Sequence, residues 1–371
     1  MKNDSILFLV NVLGFGGAEL QVVQLALGMR RRGWEVTVVS LVPPVGLVEE
    51  LRHKDVEVLC LDMRKGVPNP FAIVKLRRII ASRMPRVVHS HIAQANLLAR
   101  ITRLLARMPV LVCTAHSMIE GGRLLELGYR YTDRLGDLTT IVSQAAFERY
   151  LRIGAAPAHR LRFVPNGLDL ARFVPDEAAR LRARRELGLG GKFVWLAAGR
   201  FTEAKDYPNL LRAFAAVARA DATLLIAGRG PLKDEVQALS GSLGLDDRLQ
   251  FLGLRHDVPD LMNAADAYVM SSAWEGMPLV LQEASATGLP IVATDVGGNR
   301  EVVVNDVSGL LVPAKDPAAL AEAMDRVMAM SGQRRREMGL AGREYVSSQF
   351  EIEHVLDLWE GIYEELTHSK L

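Results

Sequence analysis

The chemistry that this sequence suggests centres on two glutamates in a segment with very few charges. Glu275 and Glu283 stand eight positions apart, and Glu283 is the sole charged side chain between Gly276 and Thr294. A lone carboxylate in such surroundings is costly unless a donor hydrogen-bonds to it. Glu283 is therefore either satisfied inside a buried helix or available to a ligand that donates hydrogen bonds.

Pro278 lies between the two glutamates and fits the first position of a helix, where its missing N–H is no loss. The amides of Gly276, Met277 and Leu279 would then lie at the positive end of that helix, which favours an anion. The segment thus combines a loop carboxylate, a phosphate-sized set of amides and a carboxylate inside a helix. This combination suits a nucleotide-sugar diphosphate.

The bulk properties of the chain favour a two-domain globular protein. A length of 371 residues is long for one core, and 49% apolar with 24% charged residues is ordinary globular composition. The apolar runs fall short of the roughly 18 residues that a membrane span needs. Cys60 and Cys113 both end apolar strand-like runs, which fits buried free thiols in a reducing cytoplasm. We therefore expect a cytoplasmic protein.

The charges divide unevenly along the chain. Residues 1–172 contain 24 Lys+Arg and 14 Asp+Glu, a net charge of +10, whereas the remainder contains 21 and 29, a net charge of −8. This asymmetry indicates a basic surface with an anionic partner on the first domain. Three predicted helices carry much of this positive charge: Phe71–Met84, Asn96–Met108 with Arg100, Arg103 and Arg107, and Gly122–Leu135 with Arg123, Arg130 and Arg134.

Such basic helices can hold a protein against an anionic membrane surface or bind a lipid-linked diphosphate. They can also form a solvated face that only aids solubility. No nucleic-acid partner is expected.

Strand-like apolar runs alternate with helical periodicity throughout the chain, which predicts parallel sheets connected by crossover helices. The predicted strands are Ile6–Val12, Val36–Val42, Val56–Leu59, Val87–His91, Val110–Thr114, Thr139–Val142, Arg162–Val164, Phe193–Ala198, Thr223–Ala227, Leu249–Leu252, Ala267–Met270, Ile291–Ala293 and Leu310–Val312. Turn-forming residues predict a linker around 165–175. The predicted fold class is α/β, with two doubly wound, Rossmann-like domains over residues 1–170 and 171–353 that face each other across a cleft.

Ligands of doubly wound sheets bind at the carboxyl ends of the strands, so the loops there are the most informative. In the loop Gly14–Glu19, glycines such as Gly16 and Gly17 let backbone amides approach a phosphate. The loop resembles the dinucleotide fingerprint, but Glu19 occupies the third glycine position and no acid follows the second strand. A nicotinamide-dependent dehydrogenase is therefore disfavoured.

A histidine follows another strand of the first domain. His116 can hydrogen-bond a sugar hydroxyl or neutralise developing charge, although a single histidine is more often structural. His89 and His91 point the same way from one strand, but no third ligand is near them in the sequence, so a metal site is disfavoured. No metal or other cofactor is expected.

The second half of the chain contains loops of the same kind. Gly199 and Arg200 follow its first strand, and Lys205 comes five residues later. Arg200 can act as a forked donor and Lys205 as a point charge for a diphosphate. Gly228 marks a second glycine turn, and Arg255 closes a segment whose backbone could meet the edge of a base.

Taken in order, these motifs resemble those of the family 4 retaining glycosyltransferases, which have the two-domain B-type (GT-B) fold. The resemblance spans nearly the whole chain and rests on Gly16-Gly17-Ala18-Glu19, Pro165-Asn166-Gly167, Gly199-Arg200 with Lys205, Ala227-Gly228, Phe251-Leu252-Gly253, Glu275 with Glu283, and Gly297-Gly298 followed by Glu301. Two glutamates at this spacing are a weak pattern alone. In this order and with these neighbours the pattern is specific.

The resemblance implies a role for each site residue. Glu275 would contact the donor sugar near the reacting carbon, and Glu283 would contact the ribose hydroxyls. Arg200 and Lys205 would bind the diphosphate. His116 would lie beside the donor sugar.

The resemblance also assigns the two domains. The N-terminal domain would be the acceptor side, with the Gly16-Gly17 loop beside the diphosphate and the acceptor. The C-terminal domain would bind the nucleotide-sugar donor. The C-terminal helix, about residues 354–371, would pack back on the first domain, and the apolar stripe of the segment Glu351–Lys370 fits that helix.

Sequence and resemblance together predict a retaining, metal-independent hexosyltransferase that uses a nucleotide diphosphate sugar, first of all a UDP-sugar. The chain contains no Asp-x-Asp motif. The expected acceptor is a saccharide, foremost a lipid-linked glycan of polysaccharide or glycoconjugate biosynthesis, which the enzyme would reach as a peripheral protein on the cytoplasmic face of a membrane. A sugar-nucleotide epimerase and a non-catalytic nucleotide-sugar-binding protein on the same fold remain open as alternatives.

Overall fold

The computed structural model describes residues 4–64, 66–67 and 69–369. The chain forms two compact units, one of Met1–Leu168 with Ile352–Leu371 and one of Asp169–Glu351. The chain leaves the first unit within the segment 165–175 and returns to it with its last helix. Residues 370 and 371, the end of the predicted C-terminal helix, lie outside the described residues.

Strands and helices alternate along the chain as predicted. The strands are β1 Ser5–Val10, β2 Glu35–Ser40, β3 Glu57–Cys60, β4 Val87–His91, β5 Val110–Ala115, β6 Leu138–Ile141, β7 Leu161–Phe163, β8 Phe193–Ala198, β9 Ala222–Ala227, β10 Leu249–Gly253, β11 Ala267–Met270, β12 Ile291–Thr294 and β13 Gly309–Val312. The helices are α1 Gly17–Arg31, α2 Val48–Arg52, α3 Phe71–Arg83, α4 Ala93–Thr102, α5 Arg123–Thr132, α6 Gln144–Arg152, α7 Glu177–Glu186, α8 Tyr207–Ala216, α9 Lys233–Ser242, α10 Val258–Ala264, α11 Leu279–Ala286, α12 Asn299–Val302, α13 Pro317–Ala329, α14 Gly332–Phe350 and α15 Ile352–His368. Every predicted strand is present, which confirms the α/β fold class with two Rossmann-like domains.

The first unit is built on a parallel sheet with strand order β3-β2-β1-β4-β5-β6-β7. Strands β1 and β5 are buried along their whole length, as expected for parallel strands covered by helices on both faces. The strand order reverses between β1 and β4, and sheets of this kind bind ligands outside the carboxyl ends at that point. The loop with Gly16 and Gly17 follows β1, and His116 follows β5.

The second unit has a parallel sheet of order β10-β9-β8-β11-β12-β13. Its core includes the buried rings of Trp195, Phe201 and Phe214. The strand order reverses between β8 and β11. Because Gly199 follows β8 and the Glu275 loop follows β11, the two candidate loops leave neighbouring strands at the same end of the sheet.

Helix α15 returns to the first unit and packs on α1. Its side chains Val355, Leu356 and Trp359 are buried in the core that α1 also lines. Arg32, just after α1, lies 2.8 Å from Glu353, 2.7 Å from Asp357 and 2.6 Å from Glu360. The acidic face of α15 thus neutralises part of the basic first domain.

This pairing changes the charge balance expected from the sequence. Residues 1–168 and 352–371 together contain 24 Lys+Arg and 18 Asp+Glu, so the first unit has a net charge of +6 rather than +10. The unit is still basic, but the excess is smaller.

A glycine contact fixes the helix that carries Glu283. A Cβ at Gly339 in α14 would lie 1.8 Å from the carbonyl oxygen of Gly288, which is a backbone atom and cannot rotate away. Gly288 follows α11 with φ +78°, in the left-handed conformation that glycine favours after a helix. The end of α11 therefore depends on the absence of a side chain in α14.

We predict opposite effects for two glycine-to-alanine substitutions within helices. Gly339→Ala should destabilise the protein by about 1–3 kcal/mol, because the added methyl group overpacks the contact with Gly288. Gly361→Ala in α15 is the matched control, since its Cβ would meet no atom within 4 Å. It should stabilise the helix by about 1 kcal/mol. Urea unfolding of both variants checks this, and equal effects would contradict the proposed role of the contact.

Candidate functional site

An ion pair joins the loops that follow β8 and β11. Lys205 ends a short 3-10 turn, Glu203–Lys205, and its Nζ lies 2.6 Å from Glu275 Oε1. Ser272 Oγ donates a hydrogen bond to the same oxygen at 2.6 Å. Both charged side chains are partly buried, so water screens this pair less than a pair on the open surface. The structure brings together Lys205 and Glu275, two residues that the sequence singled out separately.

A glycine turn supports the Glu275 loop from another side. Gly297 has φ +49°, and a Cβ there would lie 2.1 Å from the carbonyl oxygen of Glu275. The N–H of Gly298 donates to the carbonyl oxygen of Gly276 at 2.8 Å. Glycine is required at position 297 because the backbone of the Glu275 loop passes too close for a side chain.

Two buried tyrosines fix the carboxyl end of β8. Tyr268 Oη accepts a hydrogen bond from the N–H of Ala198 at 3.0 Å and donates one to the carbonyl oxygen of Ala198 at 3.1 Å. Tyr207 Oη donates to the carbonyl oxygen of Gly199 at 3.1 Å. Burial raises the pKa of both hydroxyls, so they stay protonated and keep these bonds. Both tyrosines and Ser272 were not predicted from the sequence, because no local motif marks them as part of this site.

The glycine turn after β9 contacts the loop after β8. Gly228 has φ +146°, and a Cβ there would lie 1.9 Å from the carbonyl oxygen of Gly199. Its N–H donates to Gly253, the last residue of β10, at 2.7 Å. The ends of β8, β9 and β10 are thus tied together by backbone contacts.

Arg200 and Arg255 occupy different parts of this edge. Arg200 is exposed directly after Gly199. Arg255 follows the edge strand β10, and its guanidinium contacts Asp257 at 2.8 and 2.5 Å. Arg255 therefore lies at the side of the sheet, whereas Arg200 lies near the central strands.

Helix α11, which carries Glu283, does not start where the sequence predicts. Helix α11 begins at Leu279, and Pro278 precedes it with an extended backbone, φ −77° and ψ 113°. The expectation that Pro278 occupies the first helical position is therefore wrong by one residue. Gly276 and Met277 belong to the loop, and of the three amides considered only that of Leu279 belongs to the helix.

Glu283 lies in α11 and is partly buried. Burial raises the pKa of its carboxyl to about 7, and the charge of Arg172 opposes this rise. Among the described residues, none donates a hydrogen bond to the carboxylate. The structure therefore does not support the alternative in which protein donors satisfy Glu283.

In the first unit, His116 contacts a second histidine. His116 Nε2 lies 3.0 Å from Nδ1 of the buried His91. Burial lowers the pKa of His116 to about 4, so its ring is neutral near pH 7. A neutral ring can exchange hydrogen bonds with a hydroxyl, so the burial of His116 favours this role over the neutralisation of charge.

The other histidine of this strand is engaged by protein groups. His89 lies 2.7 Å from Tyr363 Oη in α15 and 2.6 Å from Thr114 Oγ1. In the described part of the chain, no three His, Cys, Asp or Glu side chains are grouped so that they could hold a metal ion.

Glu120 holds the loop that carries His116, and no sequence motif marks it. Its carboxylate accepts the N–H of His116 at 2.5 Å and the hydroxyl of Tyr129 at 2.9 Å. Burial raises the pKa of Glu120 to about 7, against these hydrogen bonds. Asn96 in α4 donates a hydrogen bond to Tyr129 Oη at 2.6 Å. A series of hydrogen bonds thus connects helices α4 and α5 to the loop that carries His116.

The loop after β1 leads into the N-terminus of a long helix. Gly16 precedes α1 with an extended backbone, φ −82° and ψ 163°, and Gly17 is the first residue of this 15-residue helix. The loop therefore presents a helix N-terminus at the carboxyl edge of the first sheet, an arrangement that favours anions.

The predicted basic helices are only partly confirmed. Arg100 is fully buried and donates to Tyr129 O at 3.1 Å and Thr139 Oγ1 at 2.6 Å. Arg103 lies 2.7 Å from Asp137. The expected basic face of Asn96–Met108 is therefore wrong, because that side of α4 packs inward. Only Arg107 of that set is exposed, whereas Arg123, Arg130 and Arg134 are all exposed.

No described helix is both long and apolar enough to cross a membrane.

Two family models match the chain and together cover most of it. "Glycosyltransferase Family 4" matches residues 15–172, and "Glycosyl transferases group 1" matches residues 180–345. The two matches correspond to the two halves of the chain.

Known proteins of similar sequence include two bacterial sugar transferases. The GDP-mannose-dependent alpha-(1-6)-phosphatidylinositol monomannoside mannosyltransferase of Mycobacterium tuberculosis is 30% identical over 298 residues, 76% of this chain and 77% of that protein. The UDP-Gal:alpha-D-GlcNAc-diphosphoundecaprenol alpha-1,3-galactosyltransferase of Escherichia coli is 27% identical over 277 residues, 69% of this chain and 70% of that protein.

Solved structures support the fold. Anabaena Alr3699/HepE, crystallised with UDP and glucose, has a TM-score of 0.88 at 22% identity, over 97% of this chain and 99% of that one. WaaG, a glycosyltransferase involved in lipopolysaccharide biosynthesis, has a TM-score of 0.76 at 19% identity, over 95% of this chain and 99% of that one. The chain therefore belongs to glycosyltransferase family 4 and has the GT-B fold of two Rossmann-like domains.

The pKa of Glu283 predicts a pH-dependent stability. The carboxyl has a pKa of about 7 in the folded chain against 4.5 for an ordinary glutamate, so the folded state binds the proton more tightly. The stability that protonated Glu283 contributes is present below about pH 4.5 and is lost as the pH rises through about 7. Glu283→Gln remains neutral, so its free energy of unfolding relative to wild type should increase between pH 5 and pH 8.

Urea unfolding of both proteins at the two pH values measures this difference. Glu322→Gln is the control, because Glu322 is exposed and its substitution should produce the same difference at both pH values. If Glu283→Gln behaves like Glu322→Gln, the burial of Glu283 does not affect its ionisation.

Proposed function

We propose that this protein is a retaining, metal-independent glycosyltransferase that moves a sugar from a nucleotide diphosphate sugar to a hydroxyl of a lipid-linked glycan. The observation that supports this most is the Lys205–Glu275 pair at the ends of the central strands β8 and β11, followed by Glu283 in α11. A cation for a phosphate and two carboxylates for sugar hydroxyls are the groups that such a donor requires.

Lys205 can bind the donor diphosphate without leaving Glu275. A lysine ammonium has three N–H donors, and the contact with Glu275 uses one of them. The others can reach phosphate oxygens. Arg200 is exposed after the same strand and adds a planar, forked donor, and the amides around the start of α11 add further N–H groups.

The two glutamates would bind different parts of the donor. The carboxylate of Glu275 is held by Lys205 and Ser272 through Oε1, and no described residue donates a hydrogen bond to Oε2, which can accept one from a sugar hydroxyl. The carboxylate of Glu283 lacks protein donors among the described residues, and two ribose hydroxyls would supply them. We therefore assign Glu275 to the transferred sugar and Glu283 to the ribose.

The reaction breaks the bond between the anomeric carbon and the diphosphate oxygen, so negative charge grows on the diphosphate. Lys205 and Arg200 stabilise this charge. The acceptor oxygen attacks from the face that the diphosphate leaves, and a diphosphate oxygen takes the acceptor proton, which retains the configuration. Glu275 is not assigned as a nucleophile, because its remaining oxygen, Oε2, is assigned to a hydroxyl of the transferred sugar. The neutral ring of His116 is assigned to a hydrogen bond with a donor-sugar hydroxyl.

The names of two relatives support the proposed nucleotide and acceptor classes. A UDP-sugar is the first candidate donor, and a GDP-sugar is the second because the mycobacterial relative is named GDP-mannose-dependent. The names of both relatives describe acceptors attached to lipids. We assign the first unit to such an acceptor and place the enzyme at the cytoplasmic face of a membrane.

A two-part experiment tests this proposal. Thermal unfolding with UDP, GDP, UDP-sugars and GDP-sugars should identify one nucleotide series that stabilises the wild type, since a ligand at 100 times its Kd adds about 2.7 kcal/mol. The donor found in this way is then supplied with a radiolabelled sugar and a bacterial lipid extract. The radiolabelled sugar should move to the lipid, and the rate of this transfer should be the same with and without EDTA.

Four other results would each contradict one part of the proposal. Loss of transfer in EDTA and its return with manganese would overturn metal independence. Nucleotide binding without release of nucleoside diphosphate would favour a binding protein, and a changed sugar on the recovered donor without acceptor would favour an epimerase. An inverted anomeric configuration in the product would overturn the retaining mechanism.

A further inference from the structure

A cavity of about 290 Å³, here called the Trp274 pocket, opens at the carboxyl edge of the second sheet. The segments that line it follow β8, β9, β11 and β13, so all of them come from the same end of the sheet. Its volume is close to the lower end of the range for small-ligand pockets, about 300–1,000 Å³. The lining residues include Thr202, Glu203, Asp206, Trp274 and Lys315.

The Trp274 pocket and Glu283 lie on opposite faces of this sheet. The chain passes from β8 to β9 through α8 and, in the other direction across the sheet, from β11 to β12 through α11. Because such crossovers are right-handed, α8 and α11 cover opposite faces. Leu210 of α8, Val236 of α9 and Leu320 of α13 share one core, so the helices around the pocket cover one face together. The pocket is therefore separate from the helix that carries Glu283.

The ion pair of the candidate site also lies outside the pocket. Lys205 and Glu275 are not among the described residues that line it, although Glu203 and Trp274 belong to the same two loops. These loops thus present different side chains to the pocket and to the ion pair. A ligand in the pocket would leave the groups assigned to the donor free.

The groups that line the Trp274 pocket lack partners within the described part of the protein. Trp274 is partly buried, but its ring stacks on no described aromatic or cationic side chain, and its Nε1 donates to no described group. Glu203 and Lys315 are exposed, and neither forms an ion pair with a residue that the structure describes. Asp206 accepts the N–H of Asn209 through Oδ1 at 3.4 Å, which leaves Oδ2. The pocket thus offers a flat ring, two carboxylates and an ammonium to a ligand.

This combination of groups selects a neutral ligand that is rich in hydroxyls. The two carboxylates repel an anion, and the ammonium of Lys315 repels a cation. A hydroxyl both donates and accepts, so the same ligand can bind the carboxylate of Glu203 and the ammonium of Lys315. The negative face of an indole attracts the weakly positive C–H groups on one side of a sugar ring. A saccharide has all of these features.

We propose that the Trp274 pocket is a second saccharide-binding site, separate from the donor site. One sugar ring stacks on Trp274, and its hydroxyls bind Glu203, Asp206 and Lys315. The cavity volume limits the ligand to about one sugar unit, either free or at the end of a glycan. This inference goes beyond the proposed function, because holding a sugar in this pocket requires no transfer.

Tryptophan fluorescence of the full-length protein tests the proposal, with Trp274 as the reporter. The other tryptophans, Trp34, Trp195 and Trp359, are buried. The protein is titrated with glucose, galactose, mannose and their disaccharides while UDP and GDP are present in excess to occupy the donor site. Excitation at the red edge of the tryptophan band avoids absorption by the nucleotides. At least one sugar should cause a saturable change in emission, and glycerol should cause none.

A charge variant with a matched control locates the binding site. Glu203→Gln with Lys315→Gln keeps the reporter and should weaken sugar binding on the order of 10-fold or more, from the loss of hydrogen bonds to two charged groups. Glu322→Gln with Lys192→Gln is the control, because both residues are exposed in the second unit and neither lines the pocket. The control protein should bind the sugar as wild type does.

Ligand-observed NMR tests the stacking without the fluorescent reporter. Trp274→Phe keeps an aromatic face and should retain weakened binding of the sugar, whereas Trp274→Ala should abolish it. Equal binding by wild type and Trp274→Ala would overturn the proposal.

Other results would also overturn the second saccharide site. These are the absence of a saturable change with every sugar, equal weakening in the pocket and control variants, and a change that disappears when UDP and GDP occupy the donor site. Tighter binding of free lysine or free glutamate than of every sugar would overturn the assignment to a saccharide.

The design separates this inference from the proposed function. Sugar binding in the Trp274 pocket by a protein that transfers no sugar would uphold this inference while the proposed function fails. Sugar transfer by a protein whose tryptophan fluorescence responds to no saccharide would overturn this inference and leave the proposed function standing.

Discussion

The ion pair between Lys205 and Glu275 is the constraint on which the second unit's candidate site depends. Its 2.6 Å contact joins the loops of two neighbouring strands at the point where the strand order reverses. Other contacts also hold both loops. Tyr207 and Tyr268 hydrogen-bond the backbone at the end of β8, and Gly297 packs against the backbone of Glu275. Protein groups alone therefore hold both charges in place, which is the condition for electrostatic stabilisation without reorganisation.

The first unit uses its buried polar groups in the same way, but with neutral partners. His116, His91 and Glu120 form contacts in which burial lowers the pKa of the histidines and raises that of the carboxyl. All three groups are driven towards their uncharged forms. This loop therefore offers hydrogen bonds, whereas the loop with Lys205 offers charge, and the two units make different contributions to the proposed chemistry.

Much of this organisation could be predicted from the sequence because it depends on local patterns. Apolar runs of strand length located every strand, and glycines such as Gly199 and Gly297 marked the loops where backbones pass closely. Local patterns could not show that Arg100 points into the unit, because spacing alone does not tell which face of α4 meets the sheet. Nor could they show that α15 neutralises Arg32, since the paired residues are more than 300 positions apart. Glu120 and Tyr207 bond groups that are only four and eight positions away, in His116 and Gly199, but no local motif marks either residue.

A double-mutant cycle on sugar transfer tests the role of the Lys205–Glu275 pair most directly. Lys205→Met, Glu275→Gln and the double variant are compared with wild type by kcat/KM for the donor. If the pair acts as one unit, each single substitution should cost on the order of 100-fold, and the double variant should lose little more than the worse of the two. If the two losses add within about 0.5 kcal/mol, Lys205 and Glu275 act independently, which contradicts their role as a coupled pair.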